Sequence, residues 1–103
     1  MMRMSITNDI LNEFKERMHL GDEEDENLKR ILSSSSKALI MACGEYDIEK
    51  DEDFKELVFE RSRYVYNDAL EFFNDNFISH INNLSIGKAL EEIVLDGDSD
   101  AGI

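Results

Sequence analysis

The chain has 103 residues, of which 24 are acidic and 11 basic, giving a formal net charge of −13. This length fits one domain, and a hydrophobic fraction of 42% supplies enough apolar side chain for a modest core. A surface of this sign repels phosphate backbones, which disfavours direct reading of a DNA sequence.

Cysteine and proline content and the absence of long apolar runs bear on the cellular compartment and the fold class. Cys43 is the only cysteine, so an intrachain disulfide and a thiolate cluster for zinc are both excluded. No apolar run approaches the ~18 residues of a membrane span, and the start has no signal-peptide pattern. We therefore expect a protein made in a reducing cytoplasm, without membrane contact. The absence of proline favours helices over a turn-rich β fold.

The first predicted helix covers residues 7–20. Thr7 is its expected N-cap, because a threonine side chain can accept a hydrogen bond from a free N–H of the first turn. Gly21 provides a stop. Apolar residues recur at a spacing of four along this segment, at Ile10, Phe14 and Met18.

The second predicted helix covers residues 23–43. Asp22 is its expected N-cap, and Gly44 closes it. Serines at 33–36 interrupt its apolar seam. They indicate either close approach to a neighbouring helix, which we favour, or a phosphorylation or hinge element.

The third predicted helix covers residues 53–74 and is unusually apolar. It follows an acidic link in which Tyr46 and Ile48 are expected to anchor on the core, and it opens with Asp53 and Glu56 in a capping-box arrangement. The apolar side chains of this helix form a broad arc around its axis, wider than the single stripe that packing against one neighbour requires. Two helices of the same chain, or one helix and a neighbouring subunit, are expected to cover it.

Two charged residues, Arg61 and Asp68, are predicted to project into this apolar arc. Buried charges are costly unless they are paired. Two interpretations stay open. The residues make ion pairs across a subunit interface, or they make an intrachain pair or lie at the edge with the arginine stem on apolar surface.

The rest of the chain has a looser pattern. Residues 76–85 are expected to form an extended loop or short strand, and residues 86–94 a short helix capped by Ser85. The sequence thus predicts an all-α fold: a small bundle of three main helices plus a short C-terminal helix, with an irregular segment after the third helix. Residues 1–94 form this single domain, and residues 95–103 an acidic, disordered tail.

No catalytic, cofactor or metal site is predicted. Asp96, Asp98 and Asp100 alternate as at the start of a calcium loop, but Ala101 stands where the loop needs glycine and no position-twelve glutamate follows. His19 and His80 lack a second histidine at a metal-binding spacing. A nucleophilic pair of Cys43 and His80 has no local motif to support it. We therefore expect a protein that is not an enzyme.

Three stretches of the chain resemble a known family. They are ILNEFKERMHLGDEEDENLKRIL at 10–32, CGEYDI at 43–48 and ERSRYVYNDALEFFNDNF at 60–77. Over residues 5–93 the chain resembles the small head-tail connector, or adaptor, proteins of long-tailed bacteriophages. The resemblance implies a helical subunit that assembles as a ring beneath the portal, joins the DNA-filled head to the tail and leaves a tunnel for the genome.

The resemblance also implies partners: further copies of the chain in a ring, the portal protein, a downstream tail-completion protein, and DNA only as passing cargo. The location implied is the head-tail interface of the virion. The broad apolar arc would then serve both core and subunit contacts, and Arg61 and Asp68 would fix the ring register. We expect subunit or partner contacts at Arg61, Tyr64, Asp68, Phe77, Ile78, Leu84 and Ile86.

The alternative function is an acidic inhibitor or DNA mimic that occupies a basic groove on a host protein. Its support is the net charge alone. Such a protein is expected to space its acids along one face, whereas here they collect at helix starts and links.

Overall fold

Four α-helices form the fold of the computed structural model, which describes residues 6–97 and only the backbone at 92 and 94–97. The helices are α1 (Asn8–Met18), α2 (Asp25–Cys43), α3 (Glu52–Tyr66) and α4 (Phe73–Gly97), with a 3₁₀ turn at Leu70–Phe72. Residues 6–97 contain no β-strand. The predicted all-α bundle is confirmed.

Helix α1 begins as predicted and ends earlier than predicted. The Thr7 side chain accepts a hydrogen bond from the Ile10 N–H at 3.2 Å, which confirms the N-cap. The helix ends because His19 adopts a left-handed conformation with φ 59°, two residues before Gly21. This conformation lets the Leu20 N–H donate to the Lys15 carbonyl at 2.9 Å and so satisfies the helix end.

The predicted N-cap of α2 is wrong. Asp22 lies 2.6 Å from Lys15 Nζ and is used in an ion pair, while Asp25 lies 2.8 Å from the same nitrogen. Lys15 is nearly buried, so this double contact ties α1 to the start of α2. At the other end Gly44 closes α2 as predicted, with φ 102°.

Helix α2 lies at the centre of the core and packs on the other three helices. Phe14 of α1 meets Phe59 of α3 with ring centroids 5.4 Å apart. Ser35 and Ser36 of α2 and Ser62 of α3 are buried, and Ser35 accepts a hydrogen bond from Arg61 of α3, which supports close helix approach as the role of the serine run. The buried apolar core consists of Ile10, Leu11, Phe14, Leu28, Ile31, Leu32, Leu39, Cys43, Phe54, Leu57, Val58, Phe59, Phe73 and Ile81.

The third helix is shorter than predicted. It starts at Glu52, because Asp51 is the N-cap and accepts from the Phe54 N–H at 2.9 Å, and it ends at Tyr66 instead of Asn74. Asp68 has φ 59°, and the Ala69 N–H turns back to the Tyr64 carbonyl at 2.8 Å. A left-handed residue cannot continue a right-handed helix. The predicted single helix is therefore two, joined by a turn.

The predicted loop or strand at 76–85 is wrong, and so is the separate helix at 86–94 capped by Ser85. Both segments belong to the continuous helix α4. Asparagine and serine are poor helix formers, but tertiary packing outweighs propensity here. The predicted acidic tail begins within the last turn of α4, and its residues 98–103, with two of the calcium-loop aspartates, lie outside the described residues. Four residues spaced three or four apart face the bundle: Phe73, Phe77, Ile81 and Leu84.

Candidate subunit-interface surfaces on helices α3 and α4

Arg61 and Asp68 do not share one apolar environment. Arg61 is half-buried, and its Nη1 donates to Ser35 Oγ at 3.1 Å. Burial lowers the pKa of its guanidinium, and no carboxylate of the described residues forms an ion pair with it. Asp68 is exposed at the turn after α3, so its predicted place in the apolar arc is wrong. The predicted intrachain ion pair is likewise absent among residues 6–97.

Tyr64 and Phe77 belong to an aromatic cluster that holds α3 against α4. Tyr64 meets Phe73 and Phe77 edge-on, at centroid distances of 5.7 and 5.8 Å. Phe73 and Phe77 stack at 5.0 Å. The Tyr64 hydroxyl accepts from Asn76 Nδ2 at 2.8 Å. Edge-on and offset ring pairs add stability beyond the area they bury, so this cluster fixes the position of α4.

Leu84 also contributes to the fold of the single chain. Its side chain packs on the core, and its carbonyl accepts a hydrogen bond of 2.6 Å from the Tyr46 hydroxyl. The Tyr46 ring stacks on Phe54 at 5.6 Å, and Ile48 packs on the core, which confirms both predicted anchors. Three of the seven expected contact residues, Tyr64, Phe77 and Leu84, thus pack within the subunit.

The outer side of α4 carries exposed aliphatic side chains. We call Ile78, Ile86, Leu90 and Ile93 the α4 strip; their exposed fractions are 49%, 57%, 55% and 61%. At 100° per residue these side chains lie roughly opposite the inward-facing residues of the same helix. Ile78 and Ile86 were expected at contacts. Leu90 and Ile93 were not, although their spacing of four and seven from Ile86 indicates one helical face.

The first half of the α4 strip, Ile78 and Ile86, lies in a stretch without charged residues. Residues 76–87 contain no Asp, Glu, Lys or Arg, in a chain with 24 acidic residues. Asparagine, serine and His80 flank these two side chains, whereas Lys88, Glu91 and Glu92 are the charged neighbours of Leu90 and Ile93 in the sequence. The strip therefore passes from an uncharged part at Ile78 and Ile86 to a part bordered by charges, as an interface passes from an apolar centre to a polar rim.

A second surface is a groove between α3 and the first turns of α4. It encloses about 400 Å³ and is lined by Asp53, Glu56, Leu57, Glu60, Phe77 and His80. We call it the acidic groove, because three carboxylates surround an apolar floor made by Leu57 and Phe77.

The carboxylates of the acidic groove differ in how they are compensated. Glu56 accepts from Arg17 Nη1 at 2.7 Å, and this hydrogen bond lowers the pKa of Glu56. Glu60 lies 2.5 Å from Arg63 Nη2. Asp53 is exposed and has no basic partner among residues 6–97, so it carries the uncompensated negative charge of the groove.

The residues considered for catalysis and metal binding lie in ordinary structural settings. Cys43 is buried, its Sγ lies 3.7 Å from the Ile81 carbonyl oxygen, and burial raises the pKa of its thiol. The rings of His80 and Phe77 are tilted, with centroids 6.0 Å apart. His19 is the C-cap of α1. Within residues 6–97 no three potential metal ligands converge. No helix in that range combines the length and apolarity needed to cross a bilayer.

Comparison of the chain with protein-family models, curated proteins and solved structures finds no match.

Proposed function

We propose that this chain is a structural, non-enzymatic head-tail connector of a long-tailed bacteriophage, which forms a ring between portal and tail. The observation that carries the proposal is the α4 strip, an exposed apolar face on a helix whose opposite face is already packed. The resemblance of residues 5–93 to connector proteins gives this face a role, namely contact between neighbouring copies.

Exposing the α4 strip to water is costly. A helix that is apolar on two opposite sides normally has both sides covered. Within residues 6–97 the bundle covers only the side of Phe73 and Ile81, and the strip stays exposed. Exposed apolar patches of this kind are typical of protein contacts. A neighbouring copy would supply the missing cover.

The aromatic cluster makes the α4 strip suitable for assembly. Because Tyr64, Phe73 and Phe77 hold α4 on the bundle, the strip is positioned before a partner arrives. Preorganisation of this kind reduces the entropy lost on binding. A contact between two different faces, repeated from copy to copy, closes into a ring when the rotation permits.

Arg61 and Asp68 remain the proposed register pair of the ring. The guanidinium of Arg61 has no carboxylate partner within residues 6–97, and the carboxylate of Asp68 is exposed. An ion pair between copies would satisfy both groups and oppose misaligned contacts.

The proposed partners are the portal protein on one side of the ring and a tail-completion protein on the other, at the head-tail interface of the virion. The genome would pass through the central tunnel as cargo. A net charge of −13 supports this, because an acidic wall does not hold a polyanion.

Native mass spectrometry over a concentration series, alone and with the portal protein of the same phage, tests the proposal. Wild type is compared with a triple variant of the α4 strip, Ile86→Gln, Leu90→Gln and Ile93→Gln. The matched control changes exposed polar residues of α1, Asn12→Gln and Glu16→Gln. We expect wild type and control to form multimers on the portal, and the strip variant to associate at least about tenfold more weakly.

Two results would contradict the proposal. One is an absence of portal binding by wild type at every concentration. The other is tight binding of a basic host enzyme by a monomer, which is the behaviour of an acidic inhibitor. A monomer in the absence of portal contradicts nothing, since connector subunits can require the portal to assemble.

A further inference from the structure

Helix α2 presents a basic face in an otherwise acidic chain. From Asn27 to Gly44 the sequence contains three basic residues, Lys29, Arg30 and Lys37, and no carboxylate. All three are exposed. Arg30 donates to the Asn27 side chain, and within residues 6–97 none of the three forms an ion pair. Their positive charge is therefore not neutralised within the described part of the chain.

An exposed apolar side chain lies beside these cations. Met41 is 84% exposed and follows Lys37 by one helical turn. At 100° per residue Arg30, Lys37 and Met41 share the side of α2 opposite its buried residues. We call Lys29, Arg30, Lys37 and Met41 the basic face. It combines positive charge with a flexible thioether side chain, which adapts to an apolar pocket.

The acidic groove has the complementary composition. Its negative charge attracts cations, mainly at Asp53 because Glu56 and Glu60 already pair with Arg17 and Arg63, and its floor of Leu57 and Phe77 suits an aliphatic stem or a methionine. Asp53, the carboxylate without a partner, continues the acidic link before α3, where residues 45–53 hold six acids and one lysine. A groove of about 400 Å³ accommodates long side chains but not a whole helix.

We propose that the acidic groove of one copy receives the basic face of the next copy, with Arg30 and Lys37 at the carboxylates and Met41 on the apolar floor. This inference rests on the proposed ring and names the two different surfaces that a heterologous contact requires. Charge complementarity between the two surfaces steers the encounter and adds to the register that Arg61 and Asp68 are proposed to set.

A second copy fits the basic face better than nucleic acid does. Three cations neutralise few phosphates, and the net charge of −13 opposes a polyanion at longer range. Another copy of the chain brings a concave acidic surface with an apolar floor, and so matches both the charge and the methionine.

A charge-exchange experiment tests this contact. The face variant carries Arg30→Glu and Lys37→Glu, and the groove variant carries Asp53→Lys and Glu56→Lys. Each variant alone sets like charges against each other. In an equimolar mixture the two variants can alternate, and every contact then sets opposite charges: the acidic face of the face variant meets the basic groove of the groove variant, and the basic face of the groove variant meets the acidic groove of the face variant.

Sedimentation velocity up to the highest soluble concentration gives the readout. We expect each variant alone to associate about tenfold or more weakly than wild type, and the mixture to regain wild-type association. Added salt should weaken association in wild type and in the mixture. Recovery in the mixture also shows that both variants are folded.

The outcomes separate this contact from a general effect of charge. The groove variant lowers the net negative charge, so general repulsion predicts stronger association for it, and that result would overturn the inference. Failure of the mixture to recover, or a wild type whose copies associate neither alone nor on the portal, would overturn it too. If both charge variants still bind the portal like wild type, the groove contact fails while the connector function stands. If the mixture recovers but no form binds portal, the contact stands and the function fails.

Discussion

Helices α2 and α4 each bury one side in the core and expose the other, but the exposed sides differ in kind. The basic face of α2 carries three cations around Met41, whereas the α4 strip carries four exposed aliphatic side chains, two of them in the uncharged stretch 76–87. The first surface is suited to a contact that salt weakens, and the second to one that salt leaves largely unchanged. Two helices of one small chain thus offer two kinds of surface, one that depends on charge and one that is mainly apolar.

The largest expected effect is the difference in unfolding free energy between substitutions on the two sides of α4. Phe73→Ala removes a buried ring of the aromatic cluster and should lower the free energy of unfolding by about 4 kcal/mol. Leu90→Ala, on the α4 strip, should change it by less than about 0.5 kcal/mol. Urea unfolding of the isolated chain measures both. Similar losses for the two variants would mean that the strip is part of the core.

The same comparison applies to α2. Leu32→Ala empties a fully buried position and should cost about 3 kcal/mol of unfolding free energy, whereas Met41→Ala should cost less than about 0.5 kcal/mol. Thermal unfolding followed by circular dichroism provides the measurement. A large loss at Met41 would show that the basic face is covered within the subunit.

Gly44 ends α2 and lies against Lys88 of α4. Its φ of 102° disfavours any L side chain, and an added Cβ would lie 2.6 Å from Lys88 Cγ. Gly44→Ala should therefore lower the free energy of unfolding by about 1 to 2 kcal/mol, measured by urea unfolding. Gly87→Ala is the control, because there the nearest atom is the Tyr46 hydroxyl at 3.7 Å. An equal loss of unfolding free energy at both positions would contradict a special role for the backbone conformation of Gly44.

The smallest expected effect is a pH dependence at the junction of α1 and α2. The hydrogen bond from Lys15 lowers the pKa of Asp22, and the hydrogen bonds to Asp22 and Asp25 raise the pKa of Lys15. A lowered carboxyl pKa contributes stability that is present above its unfolded value, near pH 4, and is lost as the pH falls through the folded value. The raised lysine pKa contributes stability that is lost as the pH rises through its folded value.

Lys15→Met tests this junction, because it keeps most of the packing and removes the charge. Wild type should be more stable than the variant at neutral pH, and the difference should shrink as the pH falls below about 4. Urea midpoints measured from neutral to acid pH provide the readout. A difference that stays constant over this range would contradict the role of the ion pair.

Local signals in the sequence were sufficient for the all-α class and for several helix ends. Thr7 and Gly44 act as predicted, because a side-chain N-cap and a left-handed glycine are decided by neighbouring residues. Asp22 fails as an N-cap because Lys15, seven residues away, competes for its carboxylate. That competition depends on the angle between α1 and α2, which the local sequence does not specify.

The division between α3 and α4 could not be predicted from local pattern. Apolar residues continue from Val65 to Phe77, and no proline or glycine marks the turn where Asp68 becomes left-handed. Treating residues 76–85 as irregular and 86–94 as a separate short helix hid the continuous face of α4, so Ile78 and Ile86 were expected at contacts while Leu90 and Ile93 were missed. The acidic groove required the packing of α4 on α3, which no local pattern specifies.

The central claim is that copies of this chain form a ring on the portal with the α4 strips buried between neighbours. Electron microscopy of the wild-type chain mixed with the portal protein of the same phage tests it most directly. We predict a closed ring on one end of the portal, with Ile86, Leu90 and Ile93 of each copy at the contact with the next. A portal without a ring, or a ring in which these side chains face solvent, would contradict the claim.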